Sequence, residues 1–201
     1  MKIIRINPFE QPQMVKKIAS VYQQSFGGEP WNEGYLCPLC ESVFARTPVL
    51  NTCPKCAEQF MKILVVEYWP MNKVILDFYH EMKKPNPICL VAQSDSKVVG
   101  FAWGYQISAH QDLDSHLDAP DLHRLLHGDF FYLDECALTP HYQGRGIGKL
   151  LVNQIFHEQR EGRVLLRTMN ESRMCNLIKN MGGEVVQHIS RNRVIMQLLT
   201  S

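Results

Sequence analysis

Three alternating glycines and four cysteines in two tight pairs are the residues of this sequence whose type and spacing point to chemistry. Gly144, Gly146 and Gly148 fall in the run from Gln143 to Lys149, where they leave backbone N–H groups open to an approaching ligand. Ile147, Leu150, Leu151, Ile155 and Phe156 then repeat at helical spacing, so those N–H groups sit at a helix start. With the positive end of the helix dipole and the cations Arg145 and Lys149, such a turn suits a phosphate or pyrophosphate. The preceding run Phe130 to Leu138 is apolar and aromatic and stops two places before Pro140, which reads as a strand.

The cysteines make a separate centre. Cys37-Pro-Leu-Cys40 and Cys53-Pro-Lys-Cys56 are knuckles separated by twelve residues. Four thiolates so spaced can close a tetrahedron around one zinc ion at about 2.3 Å, or another thiophilic metal, with disulfides or an unmetallated loop as the alternatives. A redox pair fits less well, because there are two such pairs and neither links a strand to a helix. Four protein ligands leave no position for water, so the implied zinc is structural and not catalytic. Between the knuckles the charges are only Glu41 and Arg46, too sparse to track nucleic-acid phosphates.

A glycine turn after a strand has several possible owners. The dinucleotide fingerprint requires Gly-x-Gly-x-x-Gly, which the Gly144, Gly146, Gly148 spacing does not supply, and no Gly-Lys-Ser/Thr ends the turn as a P-loop would. Gln143-x-x-Gly146-x-Gly148 after a strand ending in Leu-Thr-Pro resembles motif A of the GNAT family, N-acyltransferases that use acetyl coenzyme A. The resemblance covers residues 1–36 loosely and 88–201 well, with 37–59 outside it. It implies an α/β GNAT fold over residues 1–201, a mixed central sheet flanked by helices, carrying a zinc-ribbon-like insertion at 37–59.

The totals agree with one such domain. A chain of 201 residues holds one α/β core with a small insertion. A net charge of +1, from 21 basic and 20 acidic residues, points to neither nucleic acid nor a membrane surface as main partner. Without a long apolar run, and with Cys89, Cys136 and Cys175 standing alone, the expected setting is the cytoplasm.

Along the chain, residues 2–6 read as a strand and 11–26 as an amphipathic helix, with Met14, Val15, Ile18, Val21, Tyr22 and Phe26 as its core stripe. The turn Glu29 to Glu33 follows. Trp31 reads first as a cover for the core and Glu33 as a surface charge; in GNAT chains this loop borders the acceptor site, which adds substrate contact as a second reading. Residues 60–68 fit a strand or a buried helix, 71–82 a helix, and 88–93 with 98–107 a hairpin. Residues 108–129, with His110, His116, His123 and His127, read as a short helix between Pro120 and Gly128, and as a candidate wall of the acceptor pocket. A helix over 143–161, a strand over 163–168, a helix over 172–181 and two strands close the chain.

The resemblance then assigns roles. The pyrophosphate of acetyl-CoA is expected on the N–H groups of Gly144, Arg145, Gly146, Ile147, Gly148 and Lys149, next to Gln143. Its pantetheine arm is expected on the strand edge at Cys136, Ala137 and Leu138, with Asn170 touching the same arm. Glu135 is the candidate base that takes the proton of the acceptor amine, while strand alternation turns Asp134 to the opposite face. Leu177 and Ile178 stand where many members carry a proton-donating Tyr, which leaves Cys175, Tyr142 and Tyr132 as substitutes, or release of the thiolate without acid help. The expected activity is direct acetyl transfer from acetyl-CoA to a primary amine of a small molecule or protein. The alternative is a non-catalytic coenzyme A-binding module whose zinc insert docks a partner. The acceptor and a homodimer both stay open.

Overall fold

The computed structural model describes residues 1–45, 52–53, 55–56, 66–108, 113–159 and 161–199. Its first layer is a seven-stranded sheet. Four strands are antiparallel neighbours: β1 (Lys2–Arg5), β5 (Ile88–Ser94), β6 (Lys97–Ser108) and β7 (Asp129–Leu138). Asp95 and Ser96, both at positive φ (47° and 65°), make the two-residue turn of the β5–β6 hairpin, the twist that lets two right-handed strands pair directly. The second half holds β8 (Arg163–Met169), β10 (Arg193–Leu199) and β9 (Glu184–His188) in that order.

The halves meet at a parallel pair, β7 with β8, joined by the crossover helix α5 (Ile147–Glu158). Here the sheet opens. β6 and β7 pair from Gly100↔Leu138 to Ser108↔Asp129 with one register shift between Trp103 and Gly104, and β8 and β10 along their whole lengths, whereas β7 and β8 pair only at Phe131↔Val164 and Tyr132↔Leu165. Beyond Tyr132 the two strands diverge toward their carboxyl ends, at the place where an open α/β sheet binds ligands.

Helices cover both faces. α1 (Pro12–Phe26) and α2 (Met71–Glu81) bury Ile18, Tyr22, Phe26, Val74 and Phe78 against Val91, Phe101 and Trp103 on one face. On the same face, the one-turn helices α3 (Leu113–Leu117) and α4 (Leu122–Leu125) set Leu113, Leu117 and Leu122 against Tyr105, Phe130 and Tyr132. The other face carries α5 and α6 (Arg173–Asn180), whose Leu151, Ile155, Cys175 and Ile178 pack on Phe131, Leu133 and Val164. Ser172 caps α6, its Oγ accepting from the Cys175 N–H at 3.0 Å. No described helix is long and apolar enough to cross a membrane.

A second sheet stands apart from the first. β2 (Tyr35–Leu36) pairs with β3 (Val43–Phe44) on one side and with β4 (Val66–Glu67) on the other. The expected element at 60–68 thus proves to be a strand at its end, while 60–65, Arg46 and His110 lie outside the described residues.

Candidate functional site

The divergence of β7 and β8 opens a cleft of about 650 Å³. Its floor is the β7 stretch Leu133–Leu138 and, across the gap, Leu166–Thr168 of β8. One end runs onto the glycine turn, with Gln143, Gly144, Gly146, Gly148 and Lys149, and the opposite end is walled by Tyr22, Phe26, Trp31, Glu33 and Trp69.

The glycine end is an anion cradle. Gly144 and Gly146 adopt φ of +73° and +79°, a region that favours glycine, and Gly146 caps α5 in that conformation. The α5 amino terminus therefore points its N–H groups out of a turn in which Gly144, Gly146 and Gly148 present no side chain. Gln143 holds the turn to the strand by donating from Nε2 to the Leu138 carbonyl at 3.0 Å. Lys149 lines the cleft, and so does Arg173, whose guanidinium lies 3.9 Å from the spot a Cβ would take at Gly144. Nothing in the spacing marked Arg173; its place at the start of α6, across the gap, brings it there.

Three other residues expected at the coenzyme direct their own groups elsewhere, without bearing on the backbone N–H groups of the turn. Arg145 turns to His141 Nε2 (3.3 Å) and the Tyr142 ring, Ile147 is buried in the core, and the Asn170 N–H donates to the Asn192 carbonyl at 2.8 Å. None of these three lines the cleft, whereas Glu171, Ser172, Met174 and Leu177 do. Leu177 at the wall agrees with the missing Tyr. Of the substitutes, Cys175 is fully buried and Tyr142 lies outside the cleft lining, and only Tyr132 borders it.

At the opposite end two neighbouring carboxylates face the same way, against the expectation from strand alternation. β7 carries a bulge: Trp103 pairs with Glu135 and Gly104 with Leu133, so Asp134 is the extra residue. The extra residue resets the alternation. Asp134 Oδ2 accepts from the Trp103 indole N–H at 3.1 Å and Glu135 Oε1 from the Tyr22 hydroxyl at 3.1 Å, both on the α1–α2 face. Tyr22, expected as plain core, thus belongs to the site as well.

Burial and neighbouring carboxylates raise both acids. Asp134 is pushed up to about 6, by burial first and then by Glu81, while hydrogen bonding from Trp103 opposes the shift. Glu135 rises well above the usual carboxylate range, by burial and then by Asp134, and the Tyr22 hydroxyl pulls it back down. Crowding of like charges keeps a proton in the pair, and one member is then free to accept another. Burial likewise raises Glu33, whose Oε2 accepts from the Trp69 indole N–H at 2.8 Å. Cys136 has its thiol pushed up to about 12 by burial and by Glu135, which removes it as a nucleophile near neutral pH.

Position bears on two further expectations. Trp31 and Glu33 do line the cleft, at its acidic and aromatic end. Residues 113–129 are absent from its lining: they pack behind Tyr132, the Leu117 carbonyl accepts from Arg167 Nη1 of the floor at 3.2 Å, and His123 is engaged by Asp114 at 2.7 Å.

The four cysteines form one cluster. Their Sγ atoms all lie within 4.8 Å of one another, with 3.8 Å between Cys37 and Cys56 and 3.7 Å between Cys40 and Cys53. A tetrahedral zinc with bonds of about 2.3 Å needs sulfurs about 3.8 Å apart, so the donor set fits that ion. It is the metal-type cluster found among the described residues.

Comparison with known proteins gives a consistent family. The family model that matches the chain is that of the acetyltransferase (GNAT) family, over residues 55–182. Of the solved structures, a protein from Pyrococcus horikoshii OT3 superposes with a TM-score of 0.59 at 15% identity, over 100% of this chain and 98% of that one. yncA from Salmonella typhimurium, solved with its cofactor acetyl-CoA, gives 0.54 at 14% identity over 100% and 94%. The PaiA N-acetyltransferase from Thermoplasma acidophilum, in complex with coenzyme A, gives 0.52 at 12% identity over 98% of each chain. At such identities the likeness to these structures is one of fold. No curated protein matches the chain.

Proposed function

The chain belongs to the acetyltransferase (GNAT) family, and from that premise we propose that it transfers an acetyl group from acetyl-CoA directly to a primary amine, as one domain over residues 1–201 with an insertion at 37–59. The observation that carries this reading is the cleft between β7 and β8, with an anion cradle at one end and a raised carboxylate pair at the other.

The cosubstrate supplies the activated acetyl thioester. Gly144 to Lys149 bind its phosphates through backbone N–H groups, with Lys149 and Arg173 adding charge. Cys136 to Leu138 offer a strand edge to its arm and an N–H to the developing oxyanion. Glu135, aimed by Tyr22, takes the proton from the attacking amine, directly or through a water. The new C–N bond forms as the C–S bond breaks, and the electron pair leaves on sulfur. A thiol of pKa about 8.5 is a good leaving group, so its departure needs no side-chain acid, consistent with Leu177 at that wall. Because the Cys136 thiol keeps its proton, direct attack is preferred over a covalent acyl-enzyme.

The test is calorimetric titration with acetyl-CoA of the protein and of Gly146→Glu, followed by thiol release with a panel of amines. Binding lost in the variant and thiol release by the parent support the reading. Binding without transfer to any amine would favour a coenzyme A-responsive module instead, and absent binding would remove both.

A further inference from the structure

The strands of the cysteine module end at the cleft. Glu33 lies two residues before β2 and Trp69 two after β4, and these strands pair at Tyr35↔Glu67 and Leu36↔Val66. The pairing continues toward the cleft, the Tyr68 N–H donating to the Gly34 carbonyl at 3.2 Å, and the Trp69 indole N–H to Glu33 Oε2 closes it at 2.8 Å. In the other direction, β2 runs straight into Cys37, a ligand of the cage.

From that pair a chain of contacts reaches the carboxylates. The Trp69 ring meets the Tyr22 ring edge-on at 5.5 Å, Gln23 Nε2 donates to the Trp69 carbonyl at 2.7 Å, and Tyr22 donates to Glu135. Arg193 stands 4.0 Å from the remaining oxygen of Glu33.

Among the described residues, the cage is the buried centre of the module. Its strands are two residues each, and its buried cluster consists of Cys37 and Cys53 with Cys40, Cys56 and Phe44 packed on them. A sheet that short, with no aliphatic core among its described residues, does not order itself in water; a metal cross-linking the four thiolates would order it.

We infer that the four-cysteine module is a wall of the acceptor subsite: with metal bound, it fixes Glu33 and Trp69, and these set how the amine is held. The inference rests on the acyltransferase reading above and adds to it a structural reason for the insertion. Trp69 is a positioning residue, acting through Glu33. The glycine cradle belongs to the turn before α5 and shares no described element with the module, so acetyl-CoA binding is expected to survive loss of the metal.

The test uses full-length protein labelled with 5-fluorotryptophan, which carries three fluorine probes, at Trp31, Trp69 and Trp103. Trp69→Phe assigns the Trp69 signal. Zinc stoichiometry, fluorine NMR, acetyl-CoA titration and amine kinetics are then compared for zinc-loaded protein, chelated protein and the zinc-loaded variant. Expected are one zinc per chain, a Trp69 signal that shifts or broadens on chelation while Trp103 holds, and an unchanged acetyl-CoA affinity. The amine KM should rise about tenfold with little change in kcat, the size of one lost hydrogen bond to a carboxylate. Trp69→Phe should reproduce that KM rise with its zinc retained. A Trp69 signal indifferent to chelation, loss of the Trp103 signal together with it, or absence of zinc would each overturn the inference. Failure to bind acetyl-CoA would instead overturn the acyltransferase reading, while the fluorine signals still decide the coupling.

Discussion

Glu135 is under two opposed influences, a crowded, partly desolvated position that favours its neutral form and a Tyr22 hydroxyl that favours its charged one. As base it must first lose its proton, so kcat/KM for amine acetylation should rise with pH on a limb lying above the usual carboxylate range. Glu135→Gln should lower kcat/KM by about 10²–10⁴-fold and flatten that limb, with the acetyl-CoA affinity retained in titration. Tyr22→Phe removes the bond that pulls Glu135 down, so its limb should move to higher pH; a limb unmoved in both variants would take Glu135 out of the reaction. Asp134 gives a stability prediction of definite sign. Its folded-state pKa lies above its unfolded value, so the folded protein holds the extra proton and stability falls as pH rises from about 4 to about 6. Denaturant titrations of Asp134→Asn, which keeps an acceptor for Trp103, should show a shallower decline over that window, the part due to Glu135 remaining. The place of Glu135 on the cleft-lining strand was legible in the sequence, but the part of Tyr22 was not, because a tyrosine on an apolar helical stripe has the same spacing whether or not its hydroxyl finds a carboxylate.

Among the elements, β6 and β7 decide where the two acids point. A Cβ at Gly104 would meet the Tyr132 carbonyl at 2.2 Å and the Phe131 ring at 2.5 Å, so the close approach at the bulge requires glycine there. Gly104→Ala should therefore destabilise the protein by about 2 kcal/mol or more in denaturant titration. It should also lower kcat/KM, because a straightened β7 cannot hold Asp134 and Glu135 on one face. An alanine variant of parental stability and activity would show the bulge to be dispensable. A glycine inside an apolar strand was the available signal for this bulge, yet strict alternation outweighs one residue in a sequence reading and sent Asp134 to the wrong side. Strands and helices with a regular apolar period were legible to within a few residues, from α1 to β10. The segment holding α3 and α4 was not, since one-turn helices have no period to read and its histidines fit a pocket wall as well as a solvated surface.

For the molecule as a whole, the divergence of β7 and β8 is the feature that no local pattern announces. Each strand is apolar and well formed by itself; what opens the cleft is that they keep register only at Phe131↔Val164 and Tyr132↔Leu165, a property of the pair. The two halves of the sheet are joined there by those pairs and by packing of α5 on both flanks. A ligand that fills the cleft would touch β7, the α5 turn and the first turn of α6 together, and so cross-link the halves. Acetyl-CoA at a hundred times its dissociation constant should then stabilise the fold by about 2.7 kcal/mol. The distribution of that effect is the sharper measure. Amide exchange should slow at Leu133–Leu138 and at Leu166–Thr168 together, the two lips of the cleft, and at the start of α6, where Arg173 reaches the cradle. Slowing confined to the glycine turn would mean that the coenzyme touches one half only, and that β7 and β8 stay apart for some other occupant.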